Sequence, residues 1–159
     1  MTANAATAAS PKPQVWEQLL ELAAREVFEL MLGSPVHAES GAIVASKDVT
    51  SMVGLAGTMS GVLSVHSNDR GATLMTARML RVAPENVSGH KTDALGEICN
   101  MVAGNFKMKI PGMGEGCLLS PPTVITGSDY RLHSGHRPAI QLGFMFEGQP
   151  VVITLQLNS

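Results

Sequence analysis

The run "PAIQLGFMFEGQPVVITLQLN", residues 138–158, constrains the fold more than any other part of the chain. Ile140, Leu142, Phe144 and Phe146 recur every second residue, which places them on one face of an extended strand. After "EGQ" the alternation resumes, with Val151, Ile153, Leu155 and Leu157 opposing Val152, Thr154 and Gln156. Two period-two runs joined by so short a turn form an antiparallel hairpin with one face buried. Upstream, "TSMVGLAGT" and "GVLSVHS" flank Met59, Ser60 and Gly61 and read as a second hairpin. "VHAESGAIVAS", residues 36–46, suggests a further strand.

Between these lie segments of helical period. Over 15–32, Leu19, Leu22, Ala23, Glu26 and Leu30 run down one side, with Trp16, Leu20, Ala24, Val27 and Met31 beside them. So broad a stripe suits a helix laid on a sheet, and "GSP" ends it. A second helix is expected over 69–82, capped by Asn68 or Asp69 and stopped by "APEN". A third spans 92–110, "TDALGEICNMVAGNFKMKI", and ends at "PGMGEG". The Pro121–Pro122 pair of "CLLSPPTVITG" belongs at a sheet edge or strand start, because proline donates no ladder hydrogen bond. Strands and helices in this mixed order give one α/β or α+β layer domain without tandem repeats.

Composition narrows the function classes. The 159 residues match one domain, 45 % of them apolar, with ten methionines and 4 % aromatics, so the core is mainly aliphatic. A net charge of −2 offers no basic field for nucleic acid. No apolar run is long enough to span a bilayer. Two cysteines, Cys99 and Cys117, form neither a CxxC nor a disulfide framework, which fits a reducing, cytoplasmic setting. Residues 1–14 are small and polar, lack a signal-peptide pattern, and read as a disordered tail before a domain over 15–159.

The third helix has an unusual outer stripe. At about 100° per residue, Asp93, Glu97, Asn100 and Gly104 fall within an arc of about 60°. Leu95, Ile98, Val102 and Phe106 cluster nearly opposite and anchor the helix. Lys107 and Met108 border the polar stripe one turn later. A mid-helix glycine costs about 1 kcal/mol relative to alanine. At Gly104 that cost admits two readings, close docking of a partner or close packing within the fold. By spacing alone, the stripe as a whole also reads as ordinary solvated surface.

The pattern D-x3-E-x2-N at Asp93, Glu97 and Asn100, with Pro122 following 22 residues after the asparagine, resembles the signature of the CheC, CheX and FliY chemotaxis phosphatases. "LGEICNMVAGNFK" is most similar to the CheX branch. The resemblance implies a mostly antiparallel sheet packed against long helices. It implies as substrate the phosphoaspartate of a CheY-like response regulator, with Glu97 and Asn100 as the working pair. Asp93 then caps or orients, and Asp93, with Gly104 on its docking reading, is expected to meet the partner. Mg²⁺ is expected on the regulator and no cofactor on this chain. Two-site members repeat the motif on an early helix, but here Glu26 is followed three residues later by Glu29, and Glu29 by Leu32, so a single site is expected. A homodimer joined through the sheets is also implied, with "VVITLQL" as a candidate edge.

Other groups carry less. His133 and His136 of "HSGHR" have ligand-like spacing without a carboxylate or thiol constellation, and His37, His66 and His90 read as structural. Cys99 points toward the packed side, as a buried inert thiol. "GMGEG" lacks the lysine and context of a phosphate loop. Two functions remain open: a phosphatase of a response regulator, or a docking module that binds a regulator or flagellar-switch partner without hydrolysis.

Overall fold

The alternating runs pair into one antiparallel sheet, and the helical runs cover one of its faces. The computed structural model describes residues 13–42, 44, 46–128, 130–131 and 140–158. Its helices are α1 (Pro13–Leu32), α2 (Asp69–Leu80) and α3 (Lys91–Lys109), with a short 3₁₀ turn at Pro84–Asn86. The strands are β1 (His37–Ala38), β2 (Val49–Gly57), β3 (Gly61–Ser67), β4 (Cys117–Leu119), β5 (Thr123–Thr126), β6 (Ile140–Phe146) and β7 (Gln149–Leu157). They lie in the order β1-β6-β7-β3-β2-β4, and β5 also pairs with β2. Every pairing is antiparallel.

The inward face follows from the register. Val53, Leu63, Leu155 and Ile140 form one row across β2, β3, β7 and β6, and Val65, Ile153 and Leu142 continue in the next. All are buried, each side chain contributing roughly 1.5–3 kcal/mol. Phe28 of α1 meets Phe146 edge-on at 5.3 Å, and Trp16 meets Phe106 of α3 at 6.3 Å. The opposite face is polar yet largely covered. There His66 Nδ1 lies 3.0 Å from Thr50 Oγ1 and its Nε2 lies 3.4 Å from Thr154 Oγ1, while Thr50 Oγ1 also meets the Tyr130 hydroxyl at 2.9 Å. Burial, with Lys47 adding positive charge, pushes His66 down to about 4, so it is a neutral structural imidazole.

Several expectations are corrected. "VVITLQL" has no free edge: β7 is bonded to β3 on one side and β6 on the other. A second copy joining through the sheet would meet the β1–β6 or the β4–β5 side instead. Among the described residues of the strand expected over 36–46, the ladder holds His37–Ala38, opposite Met145 and Phe144, and Glu39 adds one amide bond to the Gly143 carbonyl at 2.9 Å. The α1 stripe is narrower than its periodicity suggested. Leu22, Leu30 and Met31 are exposed, whereas Leu20, Ala24, Val27 and Phe28 are buried. Helix α1 opens at Pro13, so residues 13 and 14 are helical, and residues 1–12 lie outside the described residues. Helix α2 stops at Leu80 because Arg81 turns left-handed at φ 57°, and Asn68 is its cap, its side-chain oxygen accepting from the Gly71 amide.

Candidate functional site

Helix α3 is fixed to the sheet by its apolar face. Leu95, Ile98, Val102 and Phe106 are all fully or almost fully buried. Cys99 and Ala103, both small and buried, let the helix axis approach β2 and β3. Cys99 Sγ lies 3.5 Å from the Ser51 carbonyl and 3.6 Å from that of Leu63. Burial raises its thiol to about 12, which removes the thiolate any reactivity would need.

The opposite stripe emerges as the sequence expects. Asp93 and Glu97 are exposed and Asn100 is half-buried, all on one side of the rod. Among the described residues, none of the three side chains has a hydrogen-bond or ion-pair partner within the chain. Asp93 stands in the first turn, where a carboxylate is favoured by the helix dipole. Their amide and carboxylate groups are therefore free to engage another molecule.

Beside this stripe runs an open groove of about 450 Å³, lined by Thr92, Asp93, Gly96, Glu97, Pro122 and Val124. The Pro122 contact across it was legible from sequence only as a spacing. Its physical basis is Gly96, which the sequence reading passed over. A Cβ built at Gly96 would lie 3.2 Å from Pro122 Cγ and 3.3 Å from Val124 Cγ2. At Gly104, by contrast, the nearest atom is Leu119 Cδ1 at 3.8 Å, an ordinary contact, and this position is half-buried beneath β4. The signal for Gly96 was present, a second helical glycine directly before Glu97.

The remaining candidates separate cleanly. Glu26 of the early helix accepts from Asn105 Nδ2 at 2.8 Å and from Lys109 Nζ at 2.7 Å, so it ties α1 to α3. Lys107 Nζ donates to the Cys117 carbonyl at 2.7 Å, which holds β4 against the end of α3. His133 and His136 lie outside the described residues. Among the described residues, no three His, Cys, Asp or Glu side chains converge to hold a metal ion. A second recess of about 480 Å³ adjoins the groove at Thr92, but its charges are already engaged: Lys91 Nζ bonds Asp69 at 2.7 Å and Asp48 accepts the Asp69 amide at 2.8 Å. No described helix is long and apolar enough to cross a membrane.

Comparison with known proteins bears on this geometry. The family model described as chemotaxis phosphatase CheX matches residues 49–145, which include β2, the whole of α3 and Pro122. The CheY-P phosphatase CheX of Thermotoga maritima is 28 % identical over 87 residues, covering 54 % of this chain. That alignment spans 56 % of the relative's length. A chemotaxis protein CheX from Vibrio vulnificus superposes with a TM-score of 0.78 at 20 % identity, over 94 % of this chain and 100 % of the other. The CheX of a CheX–CheY–BeF₃–Mg²⁺ complex from Borrelia burgdorferi gives 0.74 at 19 % identity, covering 91 % and 98 %. At these identities the structural likeness speaks for the fold.

Proposed function

The chain belongs to the CheX chemotaxis phosphatase family, and from that premise we propose that it hydrolyses the phosphoaspartate of a CheY-like response regulator, with Asn100 and Glu97 as its working pair. The observation that carries the reading is the pairing of an amide and a carboxylate, both unengaged among the described residues, one helical turn apart on a rod whose other face is buried.

An acyl phosphate is already an activated electrophile, so catalysis consists mainly of orienting water in line with the leaving oxygen. Asn100 suits that task. Its carboxamide oxygen accepts a hydrogen bond from the water while its nitrogen donates to a neighbouring oxygen, and the group carries no charge that must be desolvated. Glu97 supplies an exposed anion able to pair with a lysine at the regulator's phosphorylation site and so fix the register of docking. Asp93 extends the acidic surface by one turn, and Gly104 leaves the stripe low beyond Asn100. Mg²⁺, on this reading, is held by the regulator, and the encounter takes place in the cytoplasm. One site per chain follows from Glu26 and Glu29, which stand where a second motif would need an acid and an amide.

The test is the decay of purified phospho-regulator with wild type, Asn100→Ala and Glu97→Ala. Wild type is expected to shorten the phosphate half-life, Asn100→Ala to lose the acceleration, and Glu97→Ala to lose affinity more than turnover. Binding of the phospho-regulator with an unchanged half-life would instead identify a docking module.

A further inference from the structure

We propose that Gly96 and Pro122 form a seat that positions the Glu97 side of the groove for its partner, an inference that rests on the function proposed above. The two residues belong to different layers of the fold. Gly96 sits in α3 immediately before Glu97, and Pro122 arrives from the connection between β4 and β5. Their contact sets the distance between the groove's two walls, because Asp93, Gly96 and Glu97 line one side and Pro122 and Val124 the other.

The seat is held from behind. Ser120 Oγ accepts from the Gly54 amide at 2.8 Å, and the Ser120 amide donates to the Gly54 carbonyl at 2.9 Å. This reciprocal pair pins the start of the Pro121–Pro122 corner to β2, and the Ser120 hydroxyl donates onward to the Pro121 carbonyl at 3.0 Å. Beyond the corner, Val124 is in register with Ser51 of β2. Pro122 is thus fixed on both sides by strand pairing and by its own ring, which locks φ. A methyl group at residue 96 would approach Pro122 Cβ and Val124 Cγ2 to 3.3 Å each, and Pro122 Cγ to 3.2 Å. Neither neighbour is the far end of a flexible chain. The strain goes into the wall or into the helix turn that carries Glu97, and either displaces the carboxylate relative to the wall.

The experiment compares Gly96→Ala, Pro122→Ala and the double variant in the phospho-regulator assay, with melting temperatures alongside. A shift of a few tenths of an ångström should raise KM about five- to tenfold in Gly96→Ala and leave kcat within about twofold. Pro122→Ala removes Cγ, the nearest of the three atoms the new methyl meets, and frees the corner from its ring, so Gly96→Ala made in that background should raise KM less than it does in the wild type. A purely structural glycine would instead move the melting temperature and leave KM alone, since alanine is the better helix former. The seat is also read without activity, from the amide resonances of Val124 and Ile125 on the facing wall. They should move when Gly96→Ala is made in the wild type and move less when it is made in Pro122→Ala. Unmoved resonances, an unchanged KM in Gly96→Ala, or additive losses in the double variant each overturn the proposal. Resonances that behave as expected in a wild type without phosphatase activity would sink the functional reading, and the positioning role with it, while leaving the packing of the seat standing.

Discussion

The two halves of α3 are treated differently by the rest of the fold. The carboxyl half is tied down: Asn105 donates to the Ala23 carbonyl at 3.2 Å and to Glu26, Lys109 pairs with Glu26, and Lys107 reaches the Cys117 carbonyl. Phe106 adds its edge contact with Trp16. The amino half has the same buried apolar face, yet Asp93, Glu97 and Asn100 form no side-chain bond within the chain among the described residues. The proposed function, which works by orientation, would benefit from this asymmetry. The buried face and Lys91 hold the amino half without drawing on Asp93, Glu97 or Asn100, so those groups stand in fixed geometry without being engaged among the described residues.

The contrast is broken most severely from the anchored half. Phe106→Ala deletes a fully buried ring and should destabilise the protein by about 3–5 kcal/mol, read as a lower urea midpoint. Next comes Asn100→Ala, expected to reduce turnover about a hundredfold with the urea midpoint unchanged, because the side chain orients without packing. A variant that lost stability along with activity would mean Asn100 belongs to the scaffold. The mildest effect is a pH dependence. The hydrogen bond from Lys109, then that from Asn105, holds the Glu26 carboxyl below its ordinary value of 4.5. A folded-state value below the unfolded one means the ties stabilise the protein above about 4.5, and this contribution fades as pH falls through the lowered value. Glu26→Gln should therefore flatten the acid limb of the stability profile and leave phosphatase activity near neutral pH unaltered.

Legibility in the sequence followed the strength of local periodicity. The terminal hairpin, the 49–67 hairpin and the faces of α3 were readable because each repeats its pattern over several turns or residue pairs. Strand order was not. Nothing local to Val151–Leu157 says that β3 rather than solvent or a second copy will occupy its other side, since pairing partners are chosen by the whole sheet. The overestimated α1 stripe has a similar origin. Leu22, Leu30 and Met31 have the right spacing but overhang the sheet and α3. At the site, the polar triad was visible as side chains, whereas the seat at Gly96 was invisible because its function is the absence of one. Only the approach of Pro122, brought by the Ser120–Gly54 pair, makes that absence matter.

The proposed function requires that the stripe from Asp93 to Gly104 meets the regulator and the tied end from Asn105 to Lys109 does not. Amide chemical-shift mapping with a beryllofluoride-activated, Mg²⁺-loaded regulator addresses it most directly. Perturbations are expected over residues 92–104 and at Thr123 and Val124, with Asn105, Lys107 and Lys109 undisturbed. Perturbations confined instead to the exposed Leu30, Met31 and Val82, with Glu97 and Asn100 silent, would contradict it.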